Sequence, residues 1–206
     1  MKKPDGYDEA KASGEFTPAE VGGHYAVIKQ VAERQSSTGK DMVVVLFDFC
    51  KPDKQEGYFA EQFNSSDKED KKWPFAGTKY VMVNDYIDPN KTSRAFKTFC
   101  TCVEKSNDMQ VSWGGNNWGQ QFKGKKIGVV FGAEEQEYNG RISMRHIPKW
   151  FCDYSKVKDQ KAPDPVYLNG SSPASSTNTA QSSQAKANSD GFMNIPDDAD
   201  TDEIPF

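Results

Sequence analysis

Thr92-Ser-Arg-Ala-Phe-Lys-Thr-Phe-Cys-Thr-Cys-Val-Glu-Lys-Ser106 places Phe96, Phe99, Cys100 and Val103 at i, i+3, i+4 and i+7. That spacing predicts a helix with one apolar face, which puts Cys100 in the core and Cys102 away from the buried stripe. The segments on either side read as strands, so the place of this helix in the strand order decides the fold class.

Upstream, Gly23–Arg34 alternates Tyr25, Val27 and Val31 with polar or small residues around Ile28 and predicts a half-buried strand. The turn cluster Ser36–Lys40 joins it to the continuous apolar run Met42–Phe49, giving a long hairpin. A third strand is predicted at Tyr58–Phe63, after a turn at Pro52–Gly57. A charged loop, Ser65–Lys72, then leads into Trp73-Pro-Phe75, and Lys79–Val83 reads as a further short strand. Downstream of the helix, the Gly-rich Trp113–Trp118 precedes a strand at Lys126–Phe131, and Tyr138-Asn-Gly-Arg141 signals a tight hairpin into Arg141–Ile147. Strands, one helix and a closing hairpin form the order of the OB-fold. The expected class is mainly β: a five-stranded Greek-key barrel with one helix between strands 3 and 4, plus a disordered C-terminal tail.

The 206 residues allow one medium domain with appendages. Asn169–Ser189 is almost wholly Ser, Asn, Ala, Gln, Thr and Gly with one charge, Lys186, a composition that cannot offset its ordering entropy and predicts a flexible linker. The expected organisation is a polar leader at 1–20, a folded domain at 21–168, the linker at 169–189 and an acidic tip at 190–206. The net charge of −4 conceals an uneven distribution: Lys91–Lys161 holds 13 bases and 7 acids, so an anion is expected on the second half of the fold.

The tip reads Asp197-Asp-Ala-Asp-Thr-Asp-Glu-Ile-Pro-Phe206, five carboxylates running into an apolar end. A terminal Phe gains nothing in water, whereas a partner can bury the ring while its basic residues hold the acids. This tip resembles the acidic C-terminal end of the single-stranded DNA-binding (SSB) proteins, which close on a few Asp followed by Ile-Pro-Phe or a close variant. The polar leader and the charged insertion Asp67–Lys72 depart from the bacterial SSB pattern, and the general run of the chain, including Glu104-Lys-Ser-Asn107 and Gly124–Gly132, resembles the divergent SSB proteins of bacteriophages that infect Gram-positive hosts. The resemblance implies a sequence-nonspecific single-stranded DNA binder acting in DNA replication, recombination or repair. Its tip, Asp197, Asp198, Asp200, Asp202, Glu203, Ile204, Pro205 and Phe206, would recruit a polymerase, primase, helicase loader or recombination mediator. A monomer or dimer is as compatible with this resemblance as a tetramer.

Single-strand binding needs flat rings for bases and mobile cations for phosphates. Trp73, Tyr80, Trp113, Trp118 and Tyr138 are the stacking candidates, and Lys123, Lys125, Lys126, Arg141, Arg145 and Lys149 the backbone-contact candidates. For each Trp the alternative is a core or loop anchor, and for each base a solvated surface charge. Phe47, Phe49, Phe99 and Phe131 are expected in the core. Cys50, Cys100, Cys102 and Cys152 lack zinc spacing, His24 and His146 stand alone, and no cofactor or metal is expected. Signal-peptide, membrane-span and lipidation patterns are missing, which with reduced thiols points to a cytoplasm, that of a host cell if the chain is phage-encoded. A protein–protein adaptor or a strand-annealing mediator on the same fold are alternatives. A Mg-dependent nuclease using Asp48, Glu134, Glu135 and Glu137 is disfavoured, because exposed acids are common beside a hairpin and no nucleophile or phosphate-loop pattern accompanies them.

Overall fold

The computed structural model describes residues 2–4, 7, 17–66 and 68–168. The expected linker and acidic tip lie outside these residues. Five strands, β1 (Gly22–Gln35), β2 (Asp41–Phe49), β3 (Thr78–Met82), β4 (Lys126–Tyr138) and β5 (Arg141–Cys152), form one antiparallel sheet in the order β3-β2-β1-β4-β5. Helices α1 (Tyr58–Asn64) and α2 (Arg94–Asn107) follow β2 and β3. Strand β1 organises the sheet: its first half, Gly22–Val27, pairs with β4, and from Ala26 onward it pairs with β2, with a register shift between Ile28 and Gln30. Such an irregularity bends a strand and lets one chain segment serve two directions of the sheet.

The expected third strand at Tyr58–Phe63 is corrected to α1. Phe59 is buried on this helix, and its N–H donates to the side chain of Asp48 at 2.9 Å. Asp48 is itself buried, accepts from the N–H of Phe49 and lies 3.6 Å from Lys29. A carboxylate inside β2 thus holds the start of α1, a tertiary contact that local alternation does not contain. The further strand expected at Lys79–Val83 is the real third strand, so α2 still lies between strands 3 and 4.

The closed barrel is corrected as well: the sheet is open, with β3 and β5 as its two edges. Strand β3 has only five residues, and β5 carries Pro148, which has no N–H to offer a neighbouring strand. The one hydrogen bond described between these edges comes from a side chain, Lys79 Nζ to the carbonyl of Pro148 at 3.0 Å.

Helix α2 begins where Ser93 accepts from the N–H of Phe96 and ends at Asp108 in the left-handed region. Phe96, Phe99, Cys100 and Val103 are buried, as the spacing requires, but Cys102 is buried too. The reason is a 3-10 turn at Tyr154–Asp159, after β5, that packs on the second flank of α2, with the N–H of Tyr154 donating to Ser106 Oγ at 2.9 Å. Phe47, Phe49, Phe59, Phe99, Phe122 and Phe131 fill the centre. At the β4–β5 turn, Asn139 and Gly140 both have positive φ, 52° and 72°, the conformation that the Asn-Gly pair adopts most readily.

The folded part reaches back into the expected leader. Four successive carbonyls, Thr17 to Glu20, accept from Tyr58 Oη, Gln55 Nε2, His146 Nδ1 and His24 Nε2 respectively, and Ala19 is buried beneath them. This strap is held by side chains and not by a strand partner. His24 is sandwiched into the core against Phe49 at 4.1 Å, and its other nitrogen meets the carboxylate of Asp53 at 3.1 Å.

Candidate nucleic-acid interface

The gap between the sheet edges is a cavity of about 410 Å³. Strand β3 contributes Lys79 and Tyr80, β5 contributes Lys149 and Trp150, the β1–β2 turn contributes Lys40, and the segment after β3 contributes Asp85 and Tyr86. Three cations and four rings, Tyr80, Tyr86, Trp150 and the buried Phe151, therefore line one concavity beside one carboxylate. Asp85 is occupied locally: the N–H groups of Ile87 and Asp88 donate to it and hold its carboxyl below the usual range. Lys40 Nζ stands 4.2 Å from the centre of the Tyr86 ring, a cation–π contact that presents ring and charge together. Lys149 pairs with Glu134 one strand inward. Burial, reinforced by the charge of Lys149, holds Lys79 down to about 8. A nucleotide unit matches such a cavity in size, and its flat base and charged backbone match the rings and lysines.

The residues expected from sequence divide between this cavity and other places. Tyr80 and Lys149 line it. Trp73 does not: its indole N–H donates to the carbonyls of Phe47 and Gly77 at 3.2 and 3.1 Å, so it anchors the loop before β3. Trp118 is buried against Phe96 and Phe122, which corrects its reading as a platform for bases. Trp113 is exposed and stacked on Trp118 at 5.7 Å, over a second concavity of about 440 Å³. That concavity is lined by Glu33 and Asp41 besides Arg34, a poorer setting for phosphate.

The basic run Lys123, Lys125 and Lys126 sits at the start of β4, where Lys126 lies over the Tyr154 ring, whereas Tyr138 and Arg141 occupy the hairpin tip at its far end. Twelve residues of extended strand separate Lys126 from Tyr138, roughly 40 Å at about 3.3 Å per residue. Proximity in sequence is therefore not proximity in space. Arg145 is exposed, opposite Glu134 in the β4–β5 ladder. Lys40, Lys79, Tyr86 and Trp150 were missed. A signal existed for two of them, since Lys79-Tyr80 and Lys149-Trp150 are both adjacent base–ring pairs.

Three of the four acids weighed for a nuclease have other tasks. Asp48 holds α1, Glu134 pairs with Lys149, and Glu135 accepts from the N–H of Leu168 at 3.3 Å. Among the described residues no group of three or more His, Cys, Asp and Glu side chains is placed to hold a metal ion. Burial pushes the thiols of Cys100 and Cys102 up to about 11 and that of Cys152 to about 12, which leaves them protonated and unreactive near neutrality. No helix among the described residues is long and apolar enough to cross a membrane. In comparison with known proteins, no family model and no curated protein matches this chain.

Proposed function

We propose that this protein binds single-stranded DNA without sequence preference and uses its acidic Ile-Pro-Phe tip to bring other proteins of replication, recombination or repair to the bound strand. The observation that carries the reading is the seam cavity, where Lys40, Lys79 and Lys149 stand with Tyr80, Tyr86 and Trp150 beside a single acid. Rings give sequence-tolerant stacking of about 1–3 kcal/mol per base, and lysines give a salt-dependent attraction to phosphate. The strand order supports the same reading. A sheet ordered β3-β2-β1-β4-β5 with a helix between strands 3 and 4 has the connectivity of an OB barrel opened along one seam. The tip adds an independent argument, because its residues resemble the partner-binding end of the SSB proteins.

A second reading has one observation in its favour. Tyr138, Ile142 and Met144 are exposed on the β4–β5 hairpin, an apolar surface suited to protein contact in an adaptor. Titration of the full-length chain with oligo(dT), duplex DNA and oligo(U), followed by tryptophan fluorescence at two salt concentrations, separates the two. Salt-dependent quenching by single strands and not by duplex is expected, with the exposed Trp150 and Trp113 as reporters. No quenching by any nucleic acid would leave the adaptor.

A further inference from the structure

Lys79 is partly buried at the edge of β3, and its one described polar partner is the neutral carbonyl of Pro148. No carboxylate lies within ion-pair distance of it among the described residues. Buried cations are ordinarily paired, because an isolated charge in a low-dielectric setting is costly. The neighbouring charges do not supply a counterion: Lys149 repels it, Glu134 is taken by Lys149, Lys40 lies on Tyr86, and Asp85 is bonded to its own loop. An ammonium group thus faces a concavity with no anion assigned to it. Tyr80, Tyr86 and Trp150 in the same walls give that anion a flat, apolar companion.

We propose that the seam is a backbone site for single-stranded DNA, in which one phosphodiester group bridges Lys79 on β3 and Lys149 on β5 and so ties together the two unpaired sheet edges. The proposal rests on the single-strand-binding reading above. It has a consequence that surface lysines do not share. Lys79 sits at about 8 in the free protein, and a bound phosphate returns it toward its ordinary 10.5. Binding above pH 8 then takes up a proton, so affinity falls as pH rises, by up to about tenfold per pH unit.

The test is titration of the full-length protein with oligo(dT) at pH 7 and pH 9 over a range of salt, for the unmodified chain, Lys79→Gln and Lys79→Arg. At pH 7, Lys79→Gln is expected to bind about tenfold more weakly. Its slope of log affinity against log salt should be shallower by about 0.7, one phosphate contact. The fall in affinity between pH 7 and pH 9 should be much reduced in Lys79→Gln and in Lys79→Arg, whose charge persists at both. Should Lys79→Gln not fold, Lys149→Gln gives the comparison at the other side of the bridge, with a similar loss at pH 7 expected. Oligo(dT) binding by the variants with unchanged affinity and slope would overturn the seam site while leaving the single-strand reading intact. Absence of oligo(dT) binding by the unmodified protein would overturn both.

Discussion

Asp53 shows how one side chain holds several segments together. Its carboxylate is nearly buried, and burial alone would push it up. Hydrogen bonds from His24 and from the N–H groups of Gln55 and Tyr25 outweigh that cost and hold it below the usual range. The same His24 ring, facing the carbonyl of Glu20 through its other nitrogen, links Asp53 to the strap. Because the folded-state value lies below the unfolded one, this stabilisation is full above the ordinary carboxylate range and is lost as pH falls through the depressed value. Asp53→Asn should therefore cost about 1–3 kcal/mol at pH 7, with the gap to the unmodified protein narrowing in acid. Denaturant melts at pH 7 and pH 3.5 check this, and a difference that grows in acid would contradict it.

At the scale of elements, the fold depends on close approaches that only small residues permit. The 3-10 turn at Trp118–Phe122 lies against β1, and a Cβ built on Gly119 would sit 2.0 Å from the carbonyl oxygen of Val31. Backbone stands in the way, so the neighbour cannot turn aside. Gly119→Ala is expected to destabilise by about 2 kcal/mol or more, because the turn must lift and part of the Trp118 and Phe122 packing goes with it. Thermal unfolding reads the loss, and a melting temperature unchanged within a degree would contradict this packing. The helix face of α2 was legible because four apolar residues obey one period. Helix α1 was not, since Tyr58, Phe59 and Phe63 fit either a short strand or a short helix until Asp48 accepts the N–H of Phe59.

For the whole molecule, the core closes within the described residues, around Phe47, Phe49, Phe59, Phe99, Phe122 and Phe131. A chain ending at Leu168 is therefore expected to melt within a few degrees of the full-length protein and to keep its affinity for single strands. Circular dichroism and the oligo(dT) titration check the two halves of that expectation. Loss of binding with the fold intact would move the DNA contacts to residues after 168. The candidate interface belongs to this scale, because Lys40, Lys79-Tyr80, Tyr86 and Lys149-Trp150 come from four separated segments.

The sequence by itself determined the period of α2, the Asn-Gly turn, most of the strands and the uneven charge, since each follows from residues a few positions apart. It also carried the Ile-Pro-Phe tip, a linear signal that needs no fold to be read. Only the tertiary structure decided that the sheet stays open, that Trp73 and Trp118 serve as anchors, and that Lys123–Lys126 lie far from the hairpin tip. Those outcomes depend on Pro148 and Lys79 meeting across a seam and on a 13-residue strand carrying neighbouring residues apart, relations set by packing between segments distant in sequence.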